Sequence, residues 1–479
     1  MGFTLAQVRA DLFGRKLREG KCNVRDWIRG TTVKFKTKCD YIEVRVEEMS
    51  ETSIRFSGKE LETLGTKAEY GGCVRCLVDG SWGFCSFNDV ERMEEFAEAA
   101  AAQARLLGHG KTVLAEVEPI EDEVTLSLKK DPRGIFLNEK VALMRGYDEI
   151  ILKHSPKITS SIIVYFDRHH TVWFGNSEGT NIVQEKMDIA GMCAAICAEG
   201  NKTRTQRVIF ASSDDYGCAE GLEAKVREVC QLTINQLSAP KVKSGRYTVI
   251  ADPGLTGVFI HEAFGHLSEA DNVYENKKLQ ELMTLGAEYG SEKLNVYDTG
   301  LKKGSRGYLK YDDEGVPTEK TYLIKEGRLV GRLHSRETAG AMREKPTGSA
   351  RALSYRFPPI CRMRNTCVEQ GEVPLEEMVR DIDLGVYAVG STGGETQHEL
   401  FTFGAERGYM IRSGKIAEMV RDVTLSGNVF STLKNIAAIG NDRTAFDGPG
   451  GCGKGGQMPL PVGHEGPHIR MRDVIIGGE

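Results

Sequence analysis

Apolar and polar residues alternate through residues 41–88, in the runs YIEVRVEE, SIRFSG, CVRCLVDG and WGFCSF, with turn signals between them. Period-2 alternation is typical of β-strands that bury one face, so each run is predicted to be a strand. The pattern changes to helical spacing over residues 89–107, with Asn88 or Asp89 as the N-cap and Gly108 as the stop signal. The chain is therefore expected to begin with strands and one strong helix.

Strands and helices continue to alternate in the central region of the chain. A short strand is predicted at 111–119 (KTVLAEVEP), and helices are predicted near 138–153 and over 218–237. Between these helices, residues 160–186 alternate on either side of the turn GNSEG, which predicts an antiparallel strand pair. The stretch SAPKVKSG at 238–245 has the composition of a linker, and the main domain boundary is predicted there.

The second half contains alternating segments with glycine-containing turns: TYLIKEGRLVGRLH, GYMIRSGKIAEMVRDVTLSG and HIRMRDVIIGG. These segments predict mostly antiparallel sheet. One helix interrupts them, because Asp252 and Pro253 form an N-cap and N1 pair ahead of GLTGVFIHEAFGHLSEA. The sequence thus predicts an α/β chain of the α+β type, in which an N-terminal mixed α/β region precedes a C-terminal domain dominated by antiparallel β-sheet. We expect three regions, at residues 1–110, 111–237 and 238–479.

Composition argues against several classes of function. The 479 residues are 40% apolar and 27% charged, which is typical of a globular chain with sizeable cores. The net charge of −5 is spread without a basic block, so neither nucleic acid nor an anionic membrane is expected as the main partner. No run of 18 apolar residues occurs, and the start MGFTLAQVRADLFGRK lacks the apolar core of a signal peptide. A cytoplasmic protein is expected.

The 12 cysteines are expected to be reduced thiols, because nothing in the sequence indicates export. The C-x-x-C motif CVRC, at 73–76, lies in a predicted strand, where residues three apart point to opposite faces. No second C-x-x-C completes a zinc knuckle. The pair is interpreted as strand cysteines, with a redox or metal role as the alternative.

Two motifs match the letters of functional signatures without their structural context. HEGPH at 464–468 fits the H-E-x-x-H pattern of zinc peptidases, which requires two histidines on one helical face. Gly466 and Pro467 are the residue types that a helix interior tolerates least, so HEGPH is predicted to be a loop. GPGGCGKG at 448–455 is similar to a phosphate-binding P-loop, but Gly455 replaces the Ser or Thr that holds Mg²⁺, and no helix is predicted to follow.

HEAFGH at 261–266 fits a metal site better, because it lies in a predicted helix. On an ideal α-helix His261 and His266 are about 140° apart, too far to share one metal ion. A helix widened by one residue, a π-bulge, would bring the two rings nearly into line, and Gly265 makes that distortion easier. The alternative is a buried polar His261 and a surface His266.

A catalytic zinc typically takes three protein ligands and leaves one position for water, so a third residue is required. Glu269 and Asp271 are close in sequence but lie at the end of the helix. Cys452 is the more attractive candidate, because the glycines of GGCGKGG let the backbone approach closely and leave no apolar cover over the thiol. Lys454 would favour the thiolate, which is the ligating form. The alternative is an incidental loop cysteine.

Further segments occur in a fixed order along the chain: WGFCSFND at 82–89, HEAFGH followed by Glu269 and Asp271, YDDEGVP at 311–317, KPTGSAR at 345–351, RMRNT at 362–366 and CGKGGQ at 452–457. This combination resembles the TldD/PmbA family, and it spans essentially the full length of the chain. Within the family the chain is similar to the TldD type, the metalloprotease subunit, because PmbA-like (TldE) members generally lack H-E-x-x-x-H.

The resemblance implies a metal bound by His261, His266 and Cys452, with Glu262 in the position of the family's catalytic glutamate. Zinc is favoured by this ligand set, one ion per chain, and iron or cobalt remains open. The resemblance also implies extended or unfolded peptides as substrates, including leader peptides and labile small proteins. The chain is expected to pair with a PmbA/TldE-type subunit in a heterodimer, or with itself in a homodimer.

Three functions therefore compete. The first is a metallopeptidase in which Glu262 takes a proton from water and passes it to the leaving amine. The second is a non-catalytic or regulatory partner subunit with a structural metal, and the third is a nucleotide-dependent enzyme that uses GPGGCGKG. The resemblance favours the first. HEGPH is not included in the family's pattern, in agreement with a loop, although His464 and His468 could still lie beside Cys452.

Overall fold

The computed structural model describes residues 23–397 and 399–477 of the chain. Its α-helices, numbered α1 to α10, are Val24–Phe35, Met93–Leu107, Leu137–His154, Glu223–Ser238, Pro253–Ile260, Ala270–Glu275, Lys277–Leu282, Arg336–Met342, Leu375–Arg380 and Val429–Lys434. Short 3₁₀ helices lie at Val90–Arg92, Pro132–Gly134, Tyr216–Ala219 and His266–Ser268, and a π-helix lies at His261–Gly265. None of the described helices is long and apolar enough to span a membrane.

The strands, numbered β1 to β26, form three large sheets and two short strand pairs. Strands β1 to β7 are Tyr41–Ser57, Glu60–Val78, Ser81–Phe87, Glu121–Val124, Ile158–Asn176, Asn181–Glu199 and Lys202–Ser212. Strands β8 to β16 are Gly245–Ala251, Val296–Thr299, Lys320–Lys325, Arg328–Leu329, Ala350–Arg351, Ile360–Cys361, Asn365–Val368, Leu384–Val389 and Gly393–Gln397. Strands β17 to β26 are Leu400–Gly404, Arg407–Arg412, Lys415–Val420, Thr424–Asn428, Ile436–Ile439, Thr444–Ala445, Cys452–Lys454, Gln457–Leu460, Gly463–Gly466 and Ile469–Gly477.

The first sheet contains all seven strands described in the N-terminal half, in the order β3-β2-β1-β5-β6-β4, with β7 also paired to β6. Among them, β4 alone runs parallel to its neighbour. YIEVRVEE and SIRFSG, predicted as separate strands, belong to the single 17-residue strand β1. The prediction of two separate strands is wrong, because the backbone of β1 pairs continuously with β5 on one side and, with a single bulge, with β2 on the other.

Helix α2 packs closely on this sheet because its buried face is made of small residues. That face contains Ala97, Ala100, Ala101 and Ala104, which recur at helical spacing. Gly83 of β3 lies beneath it, and a Cβ at that position would stand 1.8 Å from the Ala100 carbonyl oxygen. The predicted ends are confirmed, since the Asp89 side chain caps the 3₁₀ turn that leads into α2 and Gly108 follows its last residue.

The C-terminal half is built from the other two large sheets. One has nine strands in the order β16-β17-β20-β26-β8-β15-β18-β19, with β21 also on β26, and the other has six in the order β11-β10-β9-β14-β25-β22. Antiparallel pairs dominate, and β8–β15 and β14–β25 are parallel. Helix α5 lies between the two sheets. Its Phe259 ring meets Phe401 and Phe403 of the nine-stranded sheet, whereas Gly257 faces His464 of the six-stranded one.

Helix α5 begins as predicted and then widens. The Asp252 side chain accepts a hydrogen bond from the Leu255 backbone N–H at 2.8 Å, and Pro253 is the first helical residue. After Ile260 the chain enters the π-helix, in which the His266 backbone N–H donates to the His261 carbonyl five residues earlier. The predicted π-bulge is therefore confirmed.

Buried charge pairs connect the C-terminal half to the first sheet. The Glu314 carboxylate accepts a 2.8 Å hydrogen bond from Arg75 of β2, and Lys186 of β6 donates to Asp313 at 3.3 Å. These carboxylates lie in the YDDEGVP segment, which projects from the C-terminal half toward the sheet. Removing one member of a buried pair leaves the other charge buried and without a partner, which is costly. Such contacts therefore hold the two halves in a defined arrangement.

One predicted strand is wrong. Residues 111–119 have no regular structure, because their backbone hydrogen bonds go singly to separate partners, such as Gly80 for Thr112 and Arg336 for Ala115. The start of the chain that was considered as a signal peptide lies outside the described residues, as do the first 22 residues of the predicted N-terminal region.

The predicted α+β class is confirmed. The N-terminal region is mixed, and the C-terminal half, which contains the HEAFGH helix, is dominated by antiparallel sheet. The division into 1–110, 111–237 and 238–479 remains a proposal. Strands from the first two of these regions share one sheet, which makes them a single structural layer.

The π-helix generates a prediction about Gly265, whose backbone φ of −58° suits any residue. A Cβ there would stand 2.0 Å from the sulfur of the fully buried Met363. We expect Gly265→Ala to lower the free energy of unfolding by about 1–3 kcal/mol through overpacking. Gly146→Ala, in α3 with no atom near the added Cβ, should raise it by about 0.5–1 kcal/mol.

Chemical denaturation of the two variants measures both effects in the same chain. The double variant Gly265→Ala/Met363→Ala should be less destabilised than the sum of the two single variants, because the side chain that clashes with the methyl group added at position 265 is absent. An unchanged midpoint for Gly265→Ala would mean that Met363 moves away at no cost.

Candidate metal centre

The π-helix brings the two histidines of HEAFGH together. The ring centroids of His261 and His266 are 5.3 Å apart, and the rings meet edge to face. His261 is fully buried, whereas His266 keeps some of its ring at the surface of a cleft. Five residues of α-helix would have placed the rings on different sides, so the extra residue in the turn determines this arrangement.

Cys452 reaches the histidines from the short strand pair β23–β24. Its Sγ lies 3.3 Å from Nε2 of His266, and one donor atom from each of His261, His266 and Cys452 lies within 4.8 Å of the others. Zinc holds imidazole nitrogen at about 2.0–2.1 Å and thiolate sulfur at about 2.3 Å, so a small inward movement would let all three reach one ion. Nδ1 of His261 is buried without a hydrogen-bond partner among the described residues. The residues present therefore fit a metal.

Two expectations about Cys452 are wrong. Its side chain is 5% exposed and belongs to the hydrophobic core of the C-terminal half, although glycines flank it in sequence. Apolar cover comes instead from other members of this core, such as Val462. Lys454 does not serve the thiol, because its ammonium group donates to Asp271 at 2.6 Å and pairs with Glu269 at 3.0 Å.

The electrostatics of the group separate the two histidines. Burial lowers the pKa of His261 to about 4, so this ring is neutral at pH 7. Burial also opposes charge on His266, but the Glu269 carboxylate and the Cys452 thiol outweigh it and raise the pKa of His266 to about 11. The pKa of Cys452 is raised by burial and lowered more strongly by His266, with a net decrease. The pair thus favours a thiolate, which is the form that binds metals.

Glu262 lies at the junction of two cavities. It lines one of about 210 Å³ together with His261, Cys452 and His464, and another of about 650 Å³ together with His266. Its carboxylate is 3.7 Å from Nε2 of His266, and its side chain is partly exposed to the cleft. A carboxylate in this position can exchange protons with a molecule bound in either cavity.

The loop prediction for HEGPH is wrong for its first three residues, which lie in a strand, whereas Pro467 and His468 lie between two strands. Gly463–Gly466 pairs in parallel with β14 and antiparallel with β22, because glycine is tolerated in a strand and Pro467 lies just beyond it. The ring of His464 packs 4.7 Å from that of His261, and its Nδ1 faces the Phe446 carbonyl at 3.3 Å. The ring of His468 instead contacts the Tyr387 hydroxyl and the Asp442 carboxylate.

GPGGCGKG is not a phosphate loop in the structure, since Cys452–Lys454 is a strand followed by another strand. Sequence reasoning also missed one residue of the centre. Arg362 is fully buried, and its guanidinium donates to the carbonyls of Cys452 at 2.8 Å and Gln457 at 3.2 Å. It thereby holds both strands of the pair that carries the thiol. Arg362 lies in the RMRNT segment, which contributed to the family resemblance but did not indicate a role for this residue.

Comparisons with known proteins agree with this geometry. Three family models match, namely PmbA/TldA metallopeptidase domain 1 at 42–104, the central domain at 130–237 and the C-terminal domain at 244–478. A Synechocystis sp. protein named metalloprotease is 45% identical over 447 residues, which cover 93% of this chain and 96% of the relative. A Saccharolobus solfataricus protein named zinc metalloprotease TldD homolog is 33% identical, over 67% of this chain and 72% of its own length.

The solved structure of TldE from Thermococcus kodakarensis has the same fold. Its TM-score is 0.74 at 18% identity, over 95% of this chain and 99% of that one. The family models together cover most of the chain, and the Synechocystis relative covers nearly all of it. The chain therefore belongs to the PmbA/TldD metallopeptidase family, and it is similar to the TldD homologues within it.

Proposed function

We propose that this chain is a metal-dependent peptidase whose metal is held by His261, His266 and Cys452. The observation that carries the proposal is the convergence of these three donors beside Glu262, at the junction of two cavities. Two imidazoles and a thiolate suit zinc, and the S. solfataricus relative is named a zinc metalloprotease. A thiolate ligand suits a reducing compartment, and so do the cysteines within the described residues, which are free thiols. We therefore place the activity in the cytoplasm.

The bound metal would supply Lewis acidity, which polarises a peptide carbonyl and makes water more acidic. Glu262 would take the proton from the attacking water and transfer it to the nitrogen of the leaving amine. The exposure of Glu262 to both cavities suits this role, because its carboxylate can reach groups bound in either one. Burial keeps bulk water away from the donors of His261 and Cys452, whereas His266 is partly exposed to the cleft.

Extended peptides are the proposed substrates, and the edge strand β16 supports this choice. Among the described strands, β16 pairs only with β17, so its other edge offers free backbone groups. Thr392 and Gly393 line the smaller cavity, whereas Gly394 and Glu395 line the larger one. The strand thus passes along both sides of Glu262. A peptide added at this edge would be bound mainly through its main chain, which permits many sequences, including leader peptides and labile small proteins.

The proposed active form is a dimer with a TldE-type subunit, or with a second copy of this chain. The support is the shared fold, since a TldE structure covers almost the whole chain at a TM-score of 0.74. Two subunits of one fold can associate through equivalent surfaces, as homodimers do.

The role of Glu262 is tested by Glu262→Gln in the full chain, alone and with a TldE-type subunit. We expect metal content to stay near that of the wild type and hydrolysis of an unfolded fluorogenic peptide to fall by roughly 10²–10⁴-fold, because the proton carrier is lost. Glu288→Gln, on the surface and paired with Arg328, should leave the rate unchanged. Full activity in a metal-loaded Glu262→Gln protein would favour a non-catalytic role for this glutamate.

The ligand set is tested by elemental analysis of protein purified without chelator or His-tag. About one zinc per chain is expected for the wild type, and a large loss is expected for Cys452→Ser, because serine is a poor zinc ligand at neutral pH. Cys85→Ser, on β3 of the first sheet, should retain its metal. Metal retained in Cys452→Ser would remove Cys452 from the set and direct attention to His464.

A further inference from the structure

A buried cluster of charges lies behind the proposed ligands. Glu269 has no exposed surface, and its Oε2 lies 3.0 Å from Nδ1 of His266 and 3.0 Å from Nζ of Lys454. Lys454 also donates to Asp271 at 2.6 Å and to the Cys361 carbonyl at 3.0 Å. A carboxylate with so little exposure is stable only because the Lys454 ammonium and the His266 ring N–H both hold it.

Glu269 determines which nitrogen of His266 faces the metal position. A carboxylate oxygen only accepts hydrogen bonds, so Nδ1 must carry the proton. Nε2, which faces the Cys452 sulfur at 3.3 Å, is then the atom available as a ligand. The same contact fixes the plane of the ring, as carboxylates behind metal-binding histidines generally do.

Lys454 joins two distant segments of the chain. It lies two residues after Cys452 on β23, and although the pairing with β24 is irregular between them, the Cys452 thiol contacts His266 while the Lys454 ammonium contacts Asp271. Within the described residues, β23 pairs only with β24, and no large sheet fixes the position of this hairpin. The ion pairs of Lys454 with Glu269 and Asp271 therefore anchor the strand of the thiol to the segment that follows His266.

We propose that Glu269 and Lys454 are positioning residues that assemble the three ligands before a metal arrives. Glu269 orients His266, and Lys454 holds the hairpin of Cys452 against it. Asp271 is auxiliary, because its side chain is partly exposed and Lys454 has a separate contact with the fully buried Glu269. This inference rests on the proposed ligand set, so its test needs one measurement that requires no metal.

The metal-free measurement is hydrogen–deuterium exchange of the full chain after chelation. In Lys454→Met the backbone amides of residues 452–460 should exchange at least ten-fold faster than in the wild type, while those of the first sheet remain unchanged. Lys320→Met, which removes a partly exposed ammonium paired with Glu369, should leave the hairpin as protected as before. Unchanged exchange in Lys454→Met would overturn the anchoring role, whatever the metal content.

The second measurement uses cobalt(II), whose absorption separates thiolate from imidazole ligation. Lys454→Met and Glu269→Gln should each weaken cobalt binding by about 10–100-fold in competition with a chelator. At saturating cobalt, Lys454→Met should lose some of the near-ultraviolet thiolate-to-metal band, whereas Glu269→Gln should keep it. Asp271→Asn should bind within a few-fold of the wild type. Wild-type affinity and spectrum in both of the first two variants would overturn the proposal.

Folding of each variant is checked by circular dichroism. If Lys454→Met does not fold, Lys454→Arg takes its place, since it keeps the charge but changes its geometry, and an intermediate loss of affinity is expected. A wild-type chain that binds no cobalt through Cys452 would refute the ligand set itself. The exchange experiment would then still decide whether Lys454 anchors the hairpin.

Discussion

His261 and His266 can face one point only if the helix between them contains one residue more per turn than an α-helix. Many other features of the C-terminal half depend on that local change. Helix α5 is held between two sheets, and Gly265 lies so close to Met363 that no side chain fits between them. The widened turn is therefore confined on several sides and does not rely on its own hydrogen bonds alone. It also turns Glu262 toward the cleft where the two cavities meet.

A second constraint is the pairing of charges away from water. The chain buries many ionised groups around the centre and between its two halves, and most of them have partners of opposite charge. Arg364 and Asp298, both without exposed surface, form one such pair on the six-stranded sheet. Such pairs contribute little net stability compared with apolar packing, but each is costly to break once formed. They therefore favour one relative arrangement of the sheets over other arrangements that would bury a similar apolar area.

The sequence predicted those features that depend on neighbours in the chain. Asp252 and Pro253 indicate the start of α5 by local capping rules, and the five-residue spacing of the histidines, together with Gly265, indicates the π-helix. The third donor could not be derived in this way, because the contact between Cys452 and His266 spans 186 residues. Local reasoning made Cys452 one candidate among several, and the resemblance to a family selected it.

The errors have the same origin. Glycines around Cys452 indicate a close approach of the backbone, but they do not reveal which distant apolar residues cover the thiol. Gly466 and Pro467 correctly exclude a helix, yet a strand tolerates glycine and ends before the proline, so the first three residues of HEGPH join a sheet. Lys454 was assigned to its neighbour in sequence, whereas its partners in space are carboxylates about 180 residues earlier.

The separation between His266 and Cys452 has a consequence for biosynthesis. A ribosome makes the two histidines long before the cysteine, because 186 residues separate His266 from Cys452. The nascent polypeptide is itself an extended peptide, the kind of molecule that the mature cleft is proposed to accept. In the proposed ligand set the cysteine is the last donor to be made, so a nascent chain that ends before residue 452 lacks one of the three. The order of synthesis would thus keep the proposed metal centre incomplete until residue 452 has been made.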